Sequence, residues 1–184
     1  QELLEKGEPA RMLKVDPEDN KAWKMLQLLT AKPILFVCNV DESSASIGNS
    51  FTQEVLEVAK RQKSGVVIIS AQIEEEISQL EDDEAALFLE EMGLTEAGLN
   101  RLIIAGYDLL NLETYFTVGP KEARAWTVKK GTSAPQAAGV IHGDFEKGFI
   151  RAETIAYSDF VSLNGEQGAK EAGKMRVEGK NYLV

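Results

Sequence analysis

The sequence has 184 residues, 43% of them hydrophobic and 27% charged, a balance that excludes a disordered or collagenous chain. A formal charge of -10 argues against the chain as a whole coating nucleic acid, so any such contact must be local. No apolar run approaches the roughly 20 residues a membrane helix needs, and one cysteine with one histidine can form neither an internal disulfide nor the usual structural zinc sets.

A single cysteine suits a reducing, cytoplasmic setting, and no membrane partner is expected. The first residue is Gln1 and no leader pattern follows, so the sequence reads as starting at a cut.

A short charged helix is expected over 2–13. Asp16-Pro17 then reads as a cap and first-turn pair opening a helix through Trp23, Leu26 and Leu29, which Lys32-Pro33 stops. Ile34 to Cys38 is a continuous apolar run ending in Asn39. A Ser/Gly/Asn loop, a helix over about 51–62 and a second apolar run, Val66 to Ser70, follow. Runs apolar on both faces belong to parallel strands covered by helices on either side. The expected fold is therefore α/β, part of a doubly wound parallel sheet whose other strands have no candidates elsewhere in residues 1–110.

Residues 74–110 read as helical: an acidic helix to the turn at Gly93, then a second helix capped by Thr95. After Asn111 the texture changes. Two alternating segments, 114–118 and 123–128, flank Gly119-Pro120 as a hairpin. A short helix follows over about 135–142, and 149–157 reads as a further strand of a small α+β module. Charge divides at the same place, with 10 basic and 21 acidic side chains over 1–110 against 10 and 9 over 111–184.

In open α/β sheets, ligands bind beyond the carboxyl ends of the strands, which here are Asn39-Val40-Asp41-Glu42 and Ser70-Ala71-Gln72-Ile73-Glu74. An Asn at such a point can donate to a purine N7 and accept from a neighbouring loop, and backbone groups of Ser70 and Ala71 can meet the base edge. On spacing alone, these residues equally well end strands and cap helices. His142 suits a C-terminal helix-dipole role or a core hydrogen bond, not catalysis. Cys38 should pack as a small apolar group in a buried strand. The acidic runs at 74–76 and 81–84 suit a solvated helical face and lack the pattern of a calcium loop.

These two clusters resemble the fourth and fifth nucleotide-binding motifs of GTPase-like proteins, in the variant form of the YchF (Obg-like ATPase) family. Tyr115-Phe116-Thr117, Lys121 to Thr127, Ala134 to Ala138, Asp144 to Ala152 and Gly165 to Lys170 resemble that family's TGS domain. The resemblance implies a cytoplasmic, ribosome-associated P-loop protein that hydrolyses ATP in preference to GTP as a translation or stress-related switch. It would have a helical coiled-coil insertion, ending here at 1–32, a nucleotide-binding domain whose C-terminal half with following helices is 33–110, and a C-terminal β-grasp TGS domain over 111–184.

By motif, Asn39, Val40, Glu42, Ser70 and Ala71 would form the base pocket. Guanine specificity usually rests on a Lys and an Asp where this sequence has Val40 and Glu42. A Glu that swings away would relieve repulsion with adenine N1. The phosphate-cradling G-x-x-x-x-G-K-[ST] motif does not occur in these residues. The resemblance therefore places catalytic residues and Mg2+ ligands outside them and implies that this stretch alone is inactive. The family also implies a further TGS strand beyond Val184, and no oligomer for the full-length protein; the isolated half-sheet would expose apolar edges and self-associate. An alternative is a non-catalytic scaffold that binds RNA, the ribosome or a protein through the TGS-like domain, with Lys121, Arg124, Lys129, Lys130, Lys147 and Arg151 forming one basic face beside Tyr115, Phe116 and Trp126.

Overall fold

A computed structural model describes residues 1–184, and the chain divides into two compact units, Gln1–Leu110 and Asn111–Val184. Both mix helices with small sheets, and no helix is long and apolar enough to cross a membrane.

The first unit begins with helices shorter than expected. α1 (Glu2–Glu5) is a single turn, and α2 (Asn20–Met25) ends before the backbone turns left-handed at Gln27, with φ 48°. A non-glycine residue in that region breaks a helix, so the one expected across 17–32 becomes α2 flanked by 3-10 turns. Arg11 closes this segment onto the next helix, donating to the Thr30 carbonyl at 3.4 Å and to the Gln62 side chain.

Two parallel strands follow, β1 (Leu35–Asn39) and β2 (Gly65–Ile69), in register from Leu35 opposite Gly65 to Asn39 opposite Ile69. They are joined by α3 (Ser50–Gln62). A reciprocal cap opens α3: Thr52 N–H donates to Asn49 Oδ1 at 3.1 Å, and Asn49 N–H donates to Thr52 Oγ1 at 2.8 Å. After β2 come α4 (Ala71–Ile77), α5 (Asp82–Glu91) and α6 (Gly98–Leu109). Helices α3 and α6 each pack on both strands. Ile68 lies against Gly48 at the entry to α3, and Ile69 lies against Gly98 at the start of α6. Successive strand residues face opposite ways, so the two helices cover opposite faces of the sheet, the layering expected of a doubly wound fold.

The buried apolar side chains of this unit are small apart from Val67 and Ile73. Cys38, expected to be buried, is half-exposed, and its neighbour Val37 is 44% exposed. With only two strands in the sheet, β1 has an uncovered edge.

The second unit opens with an antiparallel hairpin of β3 (Leu112–Val118) and β4 (Ala123–Lys129), closed by Gly119 N–H donating to the Glu122 carbonyl at 2.9 Å. α7 (Ala134–Ile141) starts at Ser133 with Pro135 in its first turn, where a missing N–H costs nothing. It packs on β4, and Tyr115 Oη donates to the Ala137 carbonyl at 2.8 Å. The strand expected over 149–157 is only β5 (Ala152–Thr154). It is preceded by α8 (Gly143–Lys147) and followed by α9 (Tyr157–Ser162) and α10 (Glu166–Glu171), and it pairs with β6 (Arg176–Glu178).

The regular strands thus form two separate antiparallel pairs where one sheet grasping a helix was expected. The chain end nevertheless runs back along the helix entry, with a bridge between Ser133 and Leu183 and with Ala134 N–H donating to the Tyr182 carbonyl.

Candidate functional site at the carboxyl ends of the parallel strands

Asn39 is the last residue of β1, and β2 ends directly opposite it at Ile69. Val40 N–H donates to the Ile69 carbonyl at 2.9 Å, carrying the pairing one step past the strands. At that point the chain after β2 turns sharply into α4, and Ala71 N–H donates to Asn39 Oδ1 at 2.9 Å. The Asn39 acceptor is thereby used, leaving its Nδ2 amide as the free end. The amide plane is fixed by a bond that crosses 32 residues of sequence.

Ser70, at the N-cap position of α4, is buried, and its Oγ has no hydrogen-bond partner. Ala71 is exposed beside Asn39, while Val40 and Glu42 are half-buried. All five residues expected in a base pocket therefore lie on the two turns that leave the same end of the sheet. Asp41 has a different task. Its Oδ1 accepts from Ser43 Oγ at 2.7 Å and from Ser44 N–H at 2.9 Å, capping the 3-10 turn Glu42–Ser44. The Ser43 hydroxyl, followed by the Ser44 contacts, holds the Asp41 carboxyl below its ordinary range.

Glu74 performs a role the sequence did not suggest. Both of its carboxylate oxygens accept from the start of α6, Oε1 from Gly98 N–H at 2.7 Å and Oε2 from Leu99 N–H at 3.1 Å. Thr95 was expected to cap this helix, but the helix starts later, behind Ala97, which has no side-chain acceptor. A helix lacking its own cap residue is the signal that a remote acceptor must exist; which one is not legible locally.

The six basic residues do not form one face. Arg124, Trp126 and Val128 alternate onto the side of the hairpin shared with Tyr115, which bonds α7, and the Arg124 guanidinium lies 4.3 Å over the Trp126 ring. Phe116 and Lys129 belong to the opposite side by the same alternation, and Phe116 stacks on Tyr157 with ring centroids 5.4 Å apart. Lys129 and Lys130 line a groove of about 610 Å³ with Gly131 and Gln136, while Arg151 lines another of about 710 Å³ with Phe145 and Ile150. Lys121 lies in the hairpin loop and Lys147 at the end of α8, both exposed. His142 is exposed too, and its Nδ1 accepts from Asp144 N–H at 3.2 Å, capping the N-terminus of α8 where a role at a helix C-terminus or in the core was expected.

Fold and turns together define a mixed α/β protein with a polar cluster at the carboxyl ends of parallel strands, joined to a small second domain. Residues 112–184 match the YchF-GTPase_C family model, described as a protein of unknown function (DUF933). Over 181 residues the chain is 52% identical to the ribosome-binding ATPase YchF of Escherichia coli O157:H7, covering 98% of this chain and 50% of that protein. It is 51% identical over 185 residues to the protein of the same name from Bacillus subtilis strain 168, covering 100% of this chain and 50% of that one. The structure of the Schizosaccharomyces pombe YchF GTPase superposes with a TM-score of 0.84 at 33% identity, covering 100% of this chain and 49% of that one. The sequence is that of a YchF relative whose residues 112–184 match the family's C-terminal domain, and it spans about half the length of the curated relatives it matches.

Proposed function

We propose that this chain is the base-gripping and C-terminal part of a YchF-type nucleoside triphosphatase that binds and hydrolyses ATP in preference to GTP and changes its contact with the ribosome accordingly. The observation that carries this reading is the 2.9 Å bond from Ala71 N–H to Asn39 Oδ1. It turns a flexible amide into an oriented donor, and a purine N7 is an acceptor of matching chemistry. Val40 brings no ammonium to the site. Glu42, one methylene longer than Asp, is released from the duty of accepting the two guanine donors. Ser70 and Ala71 supply backbone to the base edge.

The chain carries no phosphate-cradling motif. On this reading the phosphates and Mg2+ are held by the other half of the full-length protein, where the metal supplies charge neutralisation for phosphoryl transfer. This half alone is then inactive in hydrolysis. The ribosome enters the proposal through the relatives, which are named ribosome-binding ATPases.

The test is titration of the full-length protein with fluorescent methylanthraniloyl derivatives of ATP and GTP. Asn39→Ala removes the donor to the base and the acceptor for Ala71 N–H, and should weaken ATP binding about 10- to 100-fold. Unchanged affinity in a folded variant would refute the pocket.

A second reading, a scaffold acting through the C-terminal domain, is favoured by one observation: Phe116 and Val118 lie about half exposed on the hairpin. Ribosome co-sedimentation with ATP, with ADP and without nucleotide separates the two. Dependence on nucleotide supports the switch. Binding that ignores nucleotide but is lost in Phe116→Ser supports the scaffold.

A further inference from the structure

We infer that Glu74 is a positioning residue for the base pocket, holding the Ser70-Ala71 turn in place by clamping α4 to the start of α6; the inference rests on the base-pocket reading above. The contacts form a closed ring. Asn39 at the end of β1 accepts from Ala71, the first residue of α4. One turn on, Glu74 N–H donates to the Ser70 carbonyl at 3.0 Å, so its backbone is tied to the same turn. Its carboxylate grips Gly98 and Leu99 of α6 with both oxygens. Gly98 lies against Ile69, and Ile69 pairs with Asn39, which closes the ring.

The geometry at Gly98 shows that the clamp needs close approach. A Cβ there would lie 2.7 Å from Glu74 Oε1 and 2.9 Å from Ile69 Cγ2, so any side chain must push the carboxylate or the strand away. The charge suits the place as well, since a carboxylate at a helix start meets unpaired N–H groups and the positive end of the helix dipole. Ile73, buried beside it in sequence, anchors α4 to the core through non-directional apolar packing. Glu74 supplies the directional bonds. Loss of the clamp leaves the pocket residues all present and lets the 70–71 turn shift relative to Asn39, which degrades orientation-dependent contacts with the base.

The experiment uses full-length protein, with methylanthraniloyl-ATP and methylanthraniloyl-GTP titrated against the parent, Asn39→Ala, Glu74→Ala, Glu74→Gln and Gly98→Ala, and with a melting curve for each. Glu74→Ala should weaken ATP binding about tenfold, the scale of one lost hydrogen bond to a charged group, and should narrow the ATP-to-GTP ratio. Glu74→Gln, which keeps one acceptor and loses the charge, should fall between parent and Ala. Gly98→Ala should reproduce the narrowing with the carboxylate still present. A lowered melting temperature with both affinities unchanged would make Glu74 a purely structural cap and overturn the proposal. If Glu74→Ala does not fold, Glu74→Gln and Gly98→Ala decide on the same readout. An effect of Asn39→Ala with none from the Glu74 and Gly98 variants refutes the positioning role alone, whereas no effect from Asn39→Ala refutes the pocket and this inference with it.

Discussion

In the N-terminal unit, beside local caps at Asp41 and Asn49, several polar contacts join residues far apart in sequence: 32 residues separate Asn39 from Ala71, 24 separate Glu74 from Gly98, and 51 separate Arg11 from Gln62. In the C-terminal unit they are mostly local. Trp126 bonds Thr117 nine residues away across the hairpin, Gln136 bonds Ser133 three away, and His142 bonds Asp144 two away; the bonds from Tyr115 to Ala137, 22 apart, and from Gly131 to Glu113, 18 apart, are the long ones. A turn held by remote partners inherits the stability of everything between them, while a turn held by neighbours keeps its shape when the rest loosens. The candidate base pocket sits on turns of the first kind, so its geometry should be sensitive to packing changes that never touch it.

Ile73→Ala is the strongest way to break that contrast. Ile73 is 1% exposed, and its truncation should cost about 2–5 kcal/mol. Each unit carries one tryptophan, Trp23 in the first and Trp126 in the second. Denaturant unfolding of single-tryptophan variants therefore reads the units separately. The Trp23 transition should move to lower denaturant and the Trp126 transition should stay. If both move together, the units unfold as one body and the contrast between them has no energetic meaning.

Tyr115→Phe tests the longest-range side-chain bond of the second unit, which spans 22 residues. The variant removes the side-chain donor to the Ala137 carbonyl and should cost about 1 kcal/mol, read on Trp126. Burial pushes the Tyr115 hydroxyl above its ordinary value of 10.0. A group whose folded pKa is raised stabilises fully below the unfolded value and loses that contribution as pH rises through the folded one. The parent should therefore lose stability above about pH 10, and Tyr115→Phe should flatten that part of the curve. An unchanged alkaline slope would mean that other groups set it.

The same contrast explains what the sequence could show. The parallel pair was legible because Leu35 to Cys38 and Val66 to Ile69 are apolar on both faces, and the hairpin was legible because Gly119-Pro120 separates two alternating runs. Their pairing is now seen in full register. The helix over 50–62 and the helix opened by Ser133 and Pro135 carry their own start signals. What failed depended on information elsewhere in the chain. Nothing around Gln27 announces a left-handed break, and nothing around Ala97 announces that Glu74 will cap α6. Residues 149–157 alternate like a strand, yet only Ala152–Thr154 finds a partner, in β6, and the rest goes to α9 and to loop. At the site, the residue types of Asn39, Ser70 and Ala71 were legible. The bond that orients the Asn39 amide was not, because it depends on how the end of β1 meets the start of α4.

The smallest test compares two caps, one in each unit, and needs no knowledge of function. Asn49 and Thr52 bond each other reciprocally at the start of α3, with Thr52 itself 2% exposed. Gln136 Oε1 accepts from Ser133 N–H at 3.2 Å and from Ser133 Oγ at 2.9 Å at the start of α7, where Gln136 is exposed and Ser133 half-buried. Asn49→Ala should cost about 1–2 kcal/mol on the Trp23 transition, the upper part of the range for a cap, because the Thr52 N–H left behind is shielded from water. Gln136→Ala should cost about 0.5 kcal/mol or less on the Trp126 transition, because water replaces the lost acceptor. The difference isolates solvent access from sequence distance, since both caps span three residues. Equal costs would mean that burial at Thr52 adds nothing, and the greater sensitivity ascribed to the N-terminal unit would then rest on its remote contacts alone.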